Sequence, residues 1–187
     1  MTSKPSLAIL PIAIALLAAK LAFAADTDTR SPDQFFFTQT FGDLPEEMQV
    51  ARTAGKQGML LFFEAESCVY CKYMRDNVLN QRVVQDWYAE RFVSIAVDVV
   101  GDVELKDFDG ITLPSKIFAA QRRVFGTPVL SFIDHDGNEI YRYFGMIRTT
   151  QQFLLLGEYI EDKHYFDTEY EVFLKSRGAG TPGEILH

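Results

Sequence analysis

An α/β sandwich, with a mixed sheet covered by helices on both faces, is the fold class that three observations predict. Gly58-Met59-Leu60-Leu61-Phe62-Phe63 and Phe92-Val93-Ser94-Ile95-Ala96-Val97-Asp98-Val99 are short apolar runs of the kind buried strands make. Between them lie two stretches, Cys71 to Leu79 and Gln81 to Arg91, that contain no helix breaker. Further on, Val129–Ile133 and Glu139–Phe144 flank Asp134-His135-Asp136-Gly137-Asn138, the pattern of a hairpin closed at an Asp-Gly turn. The first two strands are expected to pair in parallel, and the hairpin to add antiparallel strands.

The elements follow in order. Asp26 to Ser31 reads as a flexible leader. Asp43-Leu44-Pro45-Glu46 is a helix start, with an acidic cap, a proline in the first turn and Glu46 reaching back. Leu44, Met48 and Ala51 share one face of that helix, and Gly55 ends it. After the first strand and the cysteine helix, Asn80 is expected to cap Gln81–Arg91, with Val83, Val84 and Trp87 facing inward. Gly101 to Pro114 is acidic and without period, and reads as a loop. Ser115 to Arg123 has helical character. The Asp134–Asn138 turn superficially resembles a calcium loop but lacks the later acidic ligands. Thr149 and Gln152 form a capping box for a helix reaching about Glu161. A last helix is expected from Thr168 to Arg177, ending at Gly178.

The chemistry-bearing feature is Cys68-Val69-Tyr70-Cys71. These are the only two cysteines of the chain, and they stand where a strand passes into a helix. A helix start presents unpaired N–H groups and the positive end of the dipole, which favours thiolate over thiol. Cys68 is then the nucleophile that attacks a partner's disulfide. Cys71, one turn further in, resolves the mixed disulfide, so that Cys68–Cys71 is a redox-active disulfide. A permanent crosslink would close too short a loop to constrain much of the unfolded chain. A metal site would need two more ligands, and His135, His164 and His187 form no cluster. No metal and no cofactor are expected; the disulfide is itself the redox centre.

Composition bounds the partners. The chain carries 18 basic and 26 acidic residues, a net charge of −8. Residues 1–24 read as an export signal: Lys4, then an uncharged stretch from Leu7 to Ala19, then Ala22-Phe23-Ala24 as a cleavage site. Lys20 and Pro11 leave a retained anchor as the alternative. Losing Lys4 and Lys20 with that segment leaves 16 basic against 26 acidic residues, a net of −10. Neither nucleic acid nor an anionic membrane suits such a surface. Sixteen Phe and eight Tyr exclude a disordered chain. The expected division is a signal at 1–24, a leader with a possible strand at 25–42, one domain at 43–177 and a flexible tail at 178–187. A periplasmic location and a monomeric state, without membrane insertion after cleavage, complete the expectation.

The strand, the Cys-x-x-Cys at a helix start, and Gly126-Thr127-Pro128-Val129 leading into a hairpin together resemble the thioredoxin superfamily. Val97-Asp98 ending the middle strand and Gly145 after the last strand fit as well. The resemblance covers roughly Asp43 to Asp162. It implies the thioredoxin fold with extra N- and C-terminal helices, a cis-proline at Pro128 facing the cysteines, and substrate contacts through Thr127 and Pro128, with Tyr70 beside them. The chain departs from cytoplasmic thioredoxins in having Val69-Tyr70 between the cysteines and Phe62 in place of a buried aspartate. Glu64, two residues on and on the same strand face, is a candidate substitute proton acceptor, with plain surface charge as the alternative. An exported signal, Ser67-Cys68-Val69-Tyr70-Cys71-Lys72, Thr127 before the proline, and a final helix with Tyr165, Phe166, Tyr170 and Phe173 nearby are most similar to SoxW-type periplasmic thioredoxins. That likeness implies a dithiol reductase of partner-protein disulfides, linked to sulfur oxidation; because the periplasm is kept oxidising, a membrane thiol-electron donor is expected to feed it. A disulfide oxidase or isomerase, and a non-catalytic binding module on the same fold, are the alternatives.

Overall fold

The computed structural model describes residues 28–180. The expected signal segment and most of the expected tail lie outside the described residues. In chain order the elements are α1 (Pro32–Phe35), α2 (Leu44–Thr53), β1 (Gly58–Glu64), α3 (Val69–Met74) running into a π-helical turn (Arg75–Leu79), α4 (Arg82–Arg91) and β2 (Phe92–Asp98). There follow β3 (Glu104–Lys106), β4 (Thr112–Pro114), α5 (Ser115–Gln121), β5 (Val129–Ile133), β6 (Glu139–Phe144), α6 (Thr150–Glu161), a 3-10 turn (His164–Phe166) and α7 (Tyr170–Ser176).

The main sheet has the order β2-β1-β5-β6. β1 and β2 run parallel, in register from Gly58 opposite Phe92 to Glu64 opposite Asp98. β5 is antiparallel to β1 and to β6. This is the thioredoxin fold. Every residue of β1 but Glu64 is buried, because each face of the sheet has its own core and alternate side chains serve each. Leu60, Phe62, Leu130 and Phe132 pack with Met74, Val84, Tyr88, Phe153 and Leu156 on one face. Met59, Leu61, Phe63, Ile95 and Val129 pack with Leu44, Met48 and Phe118 on the other.

Asp43 caps α2 as expected, its side chain accepting from the Glu46 N–H at 3.0 Å. The Asp134 carboxylate accepts from the N–H groups of Asp136 and Asn138, both at 2.9 Å, and Gly137 takes φ +82°, so this segment is a hairpin turn. Thr149 accepts from the Gln152 N–H at 3.2 Å, but only half of the capping box forms: the Gln152 amide instead donates to Gly180 at 2.7 Å.

Several expectations are corrected. The stretch 101–114 is not all loop, since β3 and β4 pair antiparallel and send Leu105 and Leu113 inward. Strands of three residues are too short to show a period. The buried face of α4 is Val84, Gln85 and Tyr88; Val83 is exposed and Trp87 half-buried. Gln85 is turned inward because its amide donates to Leu79 and Arg30 while its oxygen accepts from Arg30. Asn80 does not cap α4 either, donating back to Asp76 at the end of the π-helical turn. The leader is docked from Asp28 onward, through Arg30 to Asn80 and Thr38 to Ser94, with Phe36 and Phe37 in the core. Ala179, expected in a frayed tail, is buried.

Candidate active site

The cysteines sit where the parallel strand β1 hands over to α3. Cys68 is the N-cap of α3, extended at φ −79° and ψ 101°, and its Sγ accepts from the Cys71 N–H at 3.0 Å. One of the helix's unpaired donors is therefore spent on this sulfur, an arrangement that favours negative charge there. The two are joined as a disulfide with Cα atoms 5.2 Å apart. Cys71 is 1% exposed, whereas Cys68 is half-buried and open to solvent. The pair is thus asymmetric, with one sulfur reachable and one covered.

Two concavities flank the pair. One, of about 410 Å³, is lined by the two cysteines and Ala65 together with the charged residues Glu64, Glu66, Lys72, Arg75, Asp76 and Asp98. The other, of about 370 Å³, brings Tyr70 and Thr127 together with Tyr143, Phe144, Met146 and Arg148. Its surroundings are apolar and exposed: Val69, Tyr70, Phe125 and Phe144 all present large hydrophobic surface to solvent. The Thr127–Pro128 peptide is cis, and the Pro128 carbonyl accepts from the Gly145 N–H at 3.0 Å, fastening the loop to the end of β6. Tyr73 is exposed and donates to the Arg148 carbonyl at 3.3 Å.

Glu64 stands in the ionic cleft, but not alone. Its two oxygens accept from Arg75, Nε at 2.7 Å and Nη2 in a shorter contact, and Arg75 Nη1 donates to Asp33 at 2.7 Å. The guanidinium carbon lies 4.7 Å from the Phe37 ring centre. Burial alone would ease loss of the Arg75 proton, but the hydrogen bonds to Glu64 and Asp33 outweigh it and hold its pKa above the ordinary arginine value. Arg75 was missed from the sequence. The signal was present: it is four residues after Cys71, on the same helix face.

Among the described residues no cluster of His, Cys, Asp or Glu could hold a metal, and no helix is long and apolar enough to cross a membrane.

A sheet of this topology carrying a Cys-x-x-Cys disulfide at a helix start defines a thiol–disulfide oxidoreductase. The thioredoxin-like domain family profile matches residues 44–161, and the chain belongs to that family. A thioredoxin-fold protein from Helicobacter pylori is similar at 27% identity, over 63% of this chain and 78% of its own, with a TM-score of 0.50. A thioredoxin from Thermus thermophilus is 29% identical over 64% of this chain and 82% of its own, with a TM-score of 0.47. The C-terminal domain of DsbD from Neisseria meningitidis, in the reduced form, is 20% identical over 62% and 89%, with a TM-score of 0.44. Among curated proteins, none matches the chain.

Proposed function

We propose that this chain is an exported dithiol reductase of disulfides in other proteins, working in the periplasm and related to SoxW-type thioredoxins. The observation that carries the reading is the asymmetry of the pair, a reachable Cys68 capping α3 over a sealed Cys71. In the reduced enzyme the Cys68 thiolate attacks a partner disulfide, forming a mixed disulfide as the partner's other sulfur leaves and takes a proton. Cys71 then gives up its proton and attacks Cys68 Sγ, which breaks the mixed bond, releases the partner as a dithiol and restores the Cys68–Cys71 disulfide. Two electrons pass to the partner, and a membrane-borne dithiol donor returns them. Thr127 and Pro128 with Tyr70 form the platform on which the partner's backbone lies, and the exposed apolar side chains around them suit a protein rather than a small thiol. Neither residue between the cysteines is basic, which favours a reductase over a strong oxidant. Glu64 is the acceptor proposed for the Cys71 proton, although taking it requires giving up a bond to Arg75.

Cys71→Ser expressed in the native host tests this. Proteins held on Cys68 under non-reducing conditions, released by dithiothreitol, are the expected result. An empty trap, with Cys68 still free and alkylatable, overturns it.

A further inference from the structure

We infer that Arg75 is a positioning residue for the exchange reaction, clamping Glu64 against the cleft wall and supplying the fixed positive charge that lets Cys68 persist as a thiolate. The inference rests on the reductase reading and adds to it the residue that sets its poise. Glu64 is the last residue of β1, its side chain only 16% exposed, and it lines the same cleft as both cysteines. A lone carboxylate there would oppose thiolate formation by like-charge repulsion in poorly screened surroundings. Arg75 removes that opposition. Its side chain is 22% exposed and is held from three directions: by Glu64 from β1, by Asp33 from α1, and by the Phe37 ring beneath it. A cation held in this way cannot swing out to solvent as a surface lysine does.

The other charges around the pair are accounted for. On the same helix Lys72 is tied to Asp76 at 2.8 Å, both well exposed. Glu66, before α3, and Asp98, at the end of β2, are exposed, and Asp98 accepts from the Val100 N–H at 3.0 Å. On the opposite flank Arg148 and Glu171 line the cavity that holds Tyr70 and Thr127. Water screens these exposed charges more than it screens the Glu64–Arg75 pair. The half-buried pair is therefore the part of the field that a single substitution alters most.

The test uses the reduced full chain, Arg75→Gln, Glu64→Gln and the double variant, with the thiolate followed by ultraviolet absorbance against pH and the disulfide equilibrated with glutathione. Arg75→Gln is expected to move the thiolate midpoint up by about one unit, leaving about tenfold less thiolate below it, and to make the protein more reducing. Glu64→Gln moves both readouts the other way, and the double variant returns toward the parent. Arg75→Lys retains part of the effect. A merely structural role would shift thermal stability but not the midpoint. Folded Arg75→Gln and Glu64→Gln proteins with the parent's midpoint and potential overturn the assignment while leaving the reductase reading intact. If Arg75→Gln fails to fold, Glu64→Gln decides alone, since an unchanged or raised midpoint overturns it. A parent protein that shows no exchange at all removes both.

Discussion

Two regions of this molecule satisfy their sheltered polar groups by opposite means. Beside the disulfide, Glu64 and Arg75 meet as full charges at the edge of solvent. In the layer where α4, α6 and α7 pack together, neutral hydroxyls are satisfied by backbone carbonyls instead. Tyr88 donates to Phe153 at 2.7 Å, Tyr170 to Gln152 at 2.5 Å and Tyr159 to Thr168 at 2.5 Å. A half-buried ion pair adds little net stability, because desolvation offsets its Coulomb gain. Each hydroxyl-to-carbonyl bond contributes about 1 kcal/mol, and the rings that carry them bury large apolar area. Strength is thus concentrated in the aromatic layer, and electric field at the sulfurs. The two regions should respond separately to substitution.

The largest stability effect belongs to Gly157→Ala in α6. An added Cβ would lie 2.1 Å from Cζ3 of Trp87, whose ring is pinned between Arg91 and Tyr88. Overpacking of this kind costs about 1–3 kcal/mol, and the helix propensity gained by Ala offsets about 1 kcal/mol at most. The urea midpoint should fall, while disulfide exchange by the folded protein stays at the parent rate. Exchange lost in proportion to stability would erase the distinction between the regions.

Alkaline pH is the second probe. Burial first, then neighbouring tyrosines, raises Tyr170 and Tyr141 well above the ordinary tyrosine value; burial and then Glu171 push Tyr143 up to about 12. Raised folded-state values mean a contribution to stability that is complete below pH ~10, where unfolded tyrosines begin to ionise, and is lost as pH rises through the folded values. Urea midpoints measured from pH 8 to 12 should stay level and then fall above about 10, with tyrosinate absorbance rising late. A level stability profile to pH 12 would contradict this. The smallest effect is Tyr88→Phe, which keeps the ring stacked on Phe153 and loses only the hydroxyl bond, about 1 kcal/mol in chemical denaturation.

How far the sequence disclosed this arrangement depends on range. Residues 58–64, 92–98 and the Asp-Gly hairpin were legible, because buried strands and tight turns write their requirements into adjacent residues. So was Cys68 at the head of a helix. The Phe36-Phe37 pair was not, since its burial comes from contacts with Phe62, Tyr88 and Phe153 far along the chain. The inward face of α4 was misplaced because a buried glutamine, Gln85, replaced the apolar residue that periodicity looks for. Arg75 is half legible: its spacing of four from Cys71 puts it on the cysteine's helix face, but its partners, Asp33 and Glu64, belong to different elements, and no spacing rule joins it to them.

The covered position of Cys71 has a kinetic meaning. In the exchange proposed above, closing the reaction from within the enzyme would make the second step independent of how much free thiol surrounds the protein. Small solutes would then compete for the outer sulfur alone, and a client held there would be discharged by a group that stays in its shelter. Such a device works as a ratchet, with traffic metered at one atom.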